Sequence, residues 1–134
     1  MPKTTTALVT GCFDLLHYGH LKFLDFAAKK ADQLIVGLES DNFIKEHKGP
    51  TRPLFPQKIR KYCLKQLTSV NQIILIPNHA NYLKLLQKIK PNFLIISSND
   101  SYYKEKYQIC QQLNIKIIIF PRLKQYSSSR LIST

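Results

Sequence analysis

Acidic side chains are scarce in this chain: eight aspartates and glutamates stand against twenty lysines and arginines, a formal charge of +12 over 134 residues. Such a balance suits polyanionic partners. Nucleic acid is one such class, but a zinc-finger or basic-region pattern is missing, and the basic residues are scattered along the whole chain without an aromatic and basic cluster on one element. Nucleic-acid binding is therefore not expected as the main function. Long apolar runs are missing too. None approaches the roughly 20 residues of a membrane helix, and the start MPKTTTALV lacks the apolar stretch of a signal peptide. A soluble cytoplasmic protein with no membrane partner is expected. Cysteine is limited to Cys12, Cys63 and Cys110. Their odd number and wide spacing exclude a disulfide framework and paired metal ligands, leaving reduced thiols that pack as small hydrophobes. No internal repeat or low-complexity tract appears. The length suffices for a single domain over residues 1–134 and not for two.

What is present is an alternation. Thr5 to Thr10 and four further runs, Gln33 to Glu39, Gln72 to Pro77, Phe93 to Ser97 and Lys116 to Pro121, are nearly continuous in apolar residues, as strands buried on both faces require. Between them, Leu21, Leu24, Ala28 and Ala31 recur at helical spacing, and Tyr82 to Lys90 and Tyr103 to Leu113 follow similar rules. Strands alternating with helices predict an α/β fold: a Rossmann-like, doubly wound domain with a five-stranded parallel sheet and helices on both faces. Ligands then belong at the carboxyl ends of the strands. Glu46 to Gln57, with three prolines and one glycine, reads as a loop between helical pieces.

The stretch GCFDLLHYGH, residues 11 to 20, falls where the first strand turns into the first helix. Gly11 permits a tight turn or a close approach to a ligand, and a helix start offers unpaired N–H groups and a positive dipole end to an anion. His17 and His20, three apart with Gly19 between them, lie on one face and direct two donors at one spot. In the plainer reading Asp14 caps the helix and both histidines are ordinary polar residues of its first turn. A metal site of Asp14, His17 and His20 lacks further ligands nearby to complete a shell.

Three other places carry charge suited to phosphate. Lys48, beside Gly49 in the proline-rich loop, has a flexible ammonium able to serve two phosphates; the plain alternative is a solvated loop lysine. Arg52 either contacts substrate or braces the loop through backbone carbonyls, and Arg60 either contacts substrate or sits on a helix surface. Arg122 follows the last strand with a planar fork for phosphate. Ser127 reads as an N-cap, with Ser128 and Ser129 in the first turn behind it. Asp41 reads as the cap of a short helix after the second strand.

Gly11, Phe13, Asp14, His17, Gly19 and His20 follow the pattern G-x-F-D-x-x-H-x-G-H, which resembles the nucleotide-binding signature of the cytidylyltransferase-like nucleotidyltransferases. Further landmarks follow in order over nearly the entire chain: Glu39-Ser-Asp41, Lys48-Gly49, Arg52-Pro53, Arg60, Pro121-Arg122 and Ser127-Ser-Ser129. The resemblance implies transfer of CMP or AMP from CTP or ATP to a small phosphomonoester such as a sugar or polyol phosphate, with pyrophosphate released. It implies catalytic roles for His17, His20, Lys48 and Arg122. Gly11, Cys12, Phe13, Asp14, Gly19, Asn99, Asp100 and Ser127 to Ser129 would bind nucleotide, and Lys48, Arg52 and Arg60 the acceptor. Mg²⁺ is expected with the triphosphate, held through phosphate oxygens and water, and a homodimer is plausible by the same likeness. Ser97-Ser-Asn-Asp100 and Arg122-Leu-Lys-Gln125 depart from the family pattern. They keep open a second reading, a nucleotide-binding or regulatory module that has lost turnover.

Overall fold

In the computed structural model, which describes residues 4–121, the chain alternates as the apolar patterning predicts. β1 (Thr6–Gly11), α1 (Tyr18–Ala28), β2 (Gln33–Leu38), α2 (Asp41–Lys48), α3 (Gln57–Lys65), β3 (Gln72–Leu75), α4 (Tyr82–Ile89), β4 (Phe93–Ser97), α5 (Tyr103–Leu113) and β5 (Lys116–Phe120) follow in order. The strands form one parallel sheet in the order β3-β2-β1-β4-β5. This is an α/β, Rossmann-like fold.

The period-two alternation of each central strand divides the core. Ala7 and Val9 of β1, Leu34, Val36 and Leu38 of β2 and Ile95 of β4 pack with Leu24 and Ala27 of α1 and Leu64 of α3. On the opposite face Leu8, Ile35, Leu94 and Ile96 pack with Leu86 of α4 and Cys110 of α5. Strands buried on both faces must be apolar at every position, which is why the runs read continuously in sequence. The two edge strands differ from that expectation. β3 and β5 are only half-buried, and Leu75 and Ile119 are each 45% exposed. Edge position, which sequence composition does not encode, is the reason.

Two helix boundaries also differ. α2 runs through Lys48, so Glu46, His47 and Lys48 form its last turn and the proline-rich loop begins at Gly49. In α1, Leu21 is exposed while Leu24 and Ala27 are buried, a phase set by the helix starting at Tyr18.

The topology places the crevice. The chain winds outward from β1 through β2 to β3, then returns to the other side of β1 for β4 and β5. Whereas β1 and β2 stay in register over all six residues of β1, β1 and β4 register only at Ala7–Phe93 and Leu8–Leu94. The two central strands therefore part toward their carboxyl ends, as expected at a topological switch point.

Candidate active site

The turn from β1 to α1 is held from every side. A Cβ on Gly11 would lie 2.9 Å from Cε2 of Phe13, so the glycine makes room for that ring. Phe13 itself is 6% exposed and adopts a left-handed φ of +46°, a conformation its packing must sustain. The Cys12 carbonyl accepts a 2.7 Å hydrogen bond from Nη1 of Arg60. Asp14, 3% exposed, accepts from the backbone N–H groups of Leu54 (2.7 Å) and Phe55 (3.0 Å) and pairs with Nε of Arg52 at 3.0 Å. Burial alone would push the Asp14 carboxyl up. The two N–H donors and the guanidinium outweigh it and hold the pKa below the ordinary value.

These contacts correct several expectations. Asp14 does not cap α1; its carboxylate ties the turn to the loop 49–56. Arg52, 8% exposed, braces that loop through the Asp14 carboxylate instead of through carbonyls. Arg60 is no surface residue: it is 1% exposed, and four of its N–H donors reach the carbonyls of Phe55, Cys12 and Glu39 and the carboxylate of Asp41. It rivets three loops at the sheet's carboxyl edge and has no surface left for an acceptor. The cap of α2 is Ser40, whose Oγ accepts from the Phe43 N–H, while Asp41 serves Arg60.

His17 takes the capping role at α1. Its Nδ1 accepts a 3.0 Å hydrogen bond from the Gly19 N–H, so the neutral ring carries its proton on Nε2. The His20 ring stacks on it with centroids 3.9 Å apart and planes at 22°, and the Phe13 and His20 rings meet in a T-shaped contact with centroids 5.3 Å apart. The spacing H-x-G-H thus brings two imidazoles together at a helix N-terminus.

Beside this turn, over the carboxyl ends of the parted strands, lies a cavity of about 580 Å³. Gly11, Cys12, Lys48, Asn99 and Asp100 line it, among the residues the sequence singled out. Lys48 stands at the end of α2, exposed and with no ion pair among the described residues. Burial pushes the Cys12 thiol up and Lys48 pulls it back; burial prevails. Asp100 accepts from the Tyr102 N–H at 2.8 Å and from Nζ of Lys106 at 2.7 Å, which fixes the turn into α5. Asn99 accepts from Oγ of Ser97 at 2.9 Å. Arg122 and Ser127 to Ser129 lie outside the described residues.

The cavity also contains residues to which the sequence reading gave no role. Glu39 follows the last residue of β2, a position the strand-end rule points to. Burial pushes its carboxyl pKa up, against the pull of Lys106, His47 and Arg60. Tyr82, at the start of α4, lies 3.4 Å through its hydroxyl from Oγ1 of Thr10. Lys106 stands 5.4 Å over the Tyr82 ring. Only the packing of α4 and α5 on the sheet brings these two here. Among the described residues no group of three His, Cys, Asp or Glu side chains is arranged to hold a metal ion, and no helix is long and apolar enough to cross a membrane.

The cytidylyltransferase-like family pattern fits residues 8–134. The chain belongs to that family. It is 36% identical over 122 residues to the bifunctional protein HldE of Helicobacter pylori (strain HPAG1), covering 91% of this chain and 26% of that one. With HldE of Aliarcobacter butzleri it shares 41% over 85 residues, 63% of this chain and 18% of the relative. The chain thus spans about a quarter or less of the curated relatives' length. A lipopolysaccharide core biosynthesis protein from Thermoplasma volcanium GSS1 has the same fold, with a TM-score of 0.76 at 23% identity over 90% of this chain and 97% of that one. Nucleotidyl transfer is the activity the family supports.

Proposed function

We propose that this nucleotidyltransferase moves CMP or AMP from CTP or ATP onto a small phosphomonoester, such as a sugar or polyol phosphate. The observation that carries the reading is the stacked His17–His20 pair at the N-terminus of α1, reached by the turn whose Gly11 and Cys12 line a cavity with Lys48 on its wall. An oxygen of the acceptor phosphate attacks the α-phosphorus in line. A new P–O bond forms, the bond to the bridging oxygen breaks, and pyrophosphate leaves with the electron pair. Negative charge grows on the non-bridging oxygens as this happens, and fixed donors stabilise it without covalent participation.

His17 is fixed for that task because Gly19 occupies its Nδ1, which sets Nε2 as the donor. His20 is fixed by stacking. Lys48 offsets repulsion between the two phosphates that must meet. Asp14 and Arg60 touch neither substrate and hold the turn in place, so they are positioning residues. Mg²⁺ bound to the triphosphate through phosphate oxygens and water would neutralise part of its charge. Such chemistry belongs in the cytoplasm, where both triphosphates are found.

Pyrophosphate release, measured for CTP and ATP against glycerol 3-phosphate and a set of hexose 1-phosphates, tests the proposal. Release that requires one nucleotide and one acceptor together is expected. Nucleotide binding without release under every pairing would replace it with the non-catalytic module.

A further inference from the structure

In a chain of formal +12, four of the eight acids, Glu39, Glu46, Asp100 and Glu105, line the cavity that Gly11 and Cys12 border, against the ammonium groups of Lys48 and Lys106. A space so lined is not a general sink for phosphate. Three of the four acids have evident situations. Asp100 is bonded to Lys106 and to the Tyr102 N–H. Glu46 is half exposed and faces His79 at 3.8 Å. Glu105 is exposed in the first turn of α5.

Glu39 differs. Its main chain is pinned: the N–H donates to the Gly11 carbonyl at 2.9 Å, and its carbonyl accepts from Nη2 of Arg60 at 2.9 Å and Nε2 of Gln57 at 3.3 Å. Its carboxylate is half-buried in the cavity and makes no hydrogen bond or ion pair among the described residues. A rigid backbone therefore presents an acceptor group with its capacity unspent, in a place where desolvation is already costly.

The neighbours decide what it accepts from. Lys106 is held by Asp100 and by the Tyr82 ring, and its ammonium retains N–H donors beyond the one used on Asp100. Lys106 and His47 both act on the Glu39 carboxylate. A cationic ligand group would meet these two bases, and a second phosphate would meet Glu39. A hydroxyl donates to a carboxylate and accepts from an ammonium, and it suits both neighbours at once.

We infer that Glu39 is a specificity-determining residue: its carboxylate accepts hydrogen bonds from hydroxyl groups on the acceptor's body, while the acceptor phosphate lies toward Lys48. The inference rests on the transferase reading above and assigns to this residue the choice among phosphomonoesters.

The test uses matched acceptors on the full chain, with whichever of CTP and ATP supports release: glycerol 3-phosphate against propyl phosphate, and glucose 1-phosphate against cyclohexyl phosphate. The wild type prefers the hydroxylated member of at least one pair. Glu39→Ala loses about 30-fold more kcat/KM on that member than on its bare partner, through KM, as expected for hydrogen bonds to a charged group. Glu39→Gln, which keeps an acceptor oxygen, falls between. A purely structural role would lower both members of a pair alike, and that result, or a wild type indifferent to hydroxyls, overturns the assignment while leaving nucleotidyl transfer intact. Absence of release with every acceptor and both nucleotides instead overturns the transferase reading, and Glu39's role with it.

Discussion

A helix cap is usually an oxygen acceptor, and His17 performs the task with a ring nitrogen. Capping uses Nδ1; the proposed chemistry uses the Nε2 donor. Substitution can separate the two jobs. Asparagine is among the best N-caps but places no donor where Nε2 stands, so His17→Asn should melt within a degree or two of the wild type while losing about 10²–10³ in turnover. His17→Ala should lose turnover and also about 1 kcal/mol of stability. His20→Ala removes a donor from the helix's first turn without removing a cap, so it should resemble His17→Asn. Thermal melts and the pyrophosphate assay, run on the same preparations, check all three. A His17→Asn variant with full turnover would leave the residue a structural cap.

At the scale of elements, the loop 49–56 and the start of α3 act as a clamp on the carboxyl edge of the sheet. Gly49 ends α2 with φ of +106°, which a side chain rarely tolerates, so Gly49→Ala should destabilise by about 1 kcal/mol or more. Arg60 is the stronger case. Arg60→Lys replaces a fork that spans four acceptors by a single ammonium, leaves buried carbonyls unmatched, and should cost about 3 kcal/mol in denaturant unfolding. Because two of those acceptors are the main chains of Cys12 and Glu39, kcat/KM should fall with it even where the variant is fully folded. The sequence revealed the strands, their parallel alternation with helices and the histidine pair because each depends on residues close in the chain. It did not reveal that Asp14, Arg52 and Arg60 serve the scaffold, since all but one of their partners lie 19 to 48 positions away and the contacts form only when the loops fold over the sheet. Glu39 stood in plain view after β2. Lys106 and Tyr82 did not, because their approach to the cavity depends on how α5 and α4 lie on the sheet.

For the molecule as a whole, the charge imbalance and the Asp14 contacts act in the same direction on the acid side. Asp14 has a folded pKa below its ordinary value of 3.8, so its contribution to stability is complete above that value and is lost as pH falls through the lower, folded one. Glu39 has the opposite sign. Its raised pKa makes the ionised form a cost at neutral pH, relieved when the group protonates. Stability should therefore hold or rise slightly as pH drops toward Glu39's titration, then fall steeply below about 4. Protonation of the few acids also leaves a chain of +12 with still less to offset its bases, and the stability lost to the resulting self-repulsion should be partly restored by salt. Melting temperature against pH, at low and high ionic strength, measures both effects. Asp14→Asn isolates the first: it should cost about 3 kcal/mol at neutral pH by leaving the Arg52 charge buried and unmatched. Its acid limb should be shallower than the wild type's. Once Asp14 is itself protonated the wild type has lost the same ion pair, so the two curves should converge at low pH; parallel curves would mean that the carboxylate's charge contributes nothing to the hold on the loop.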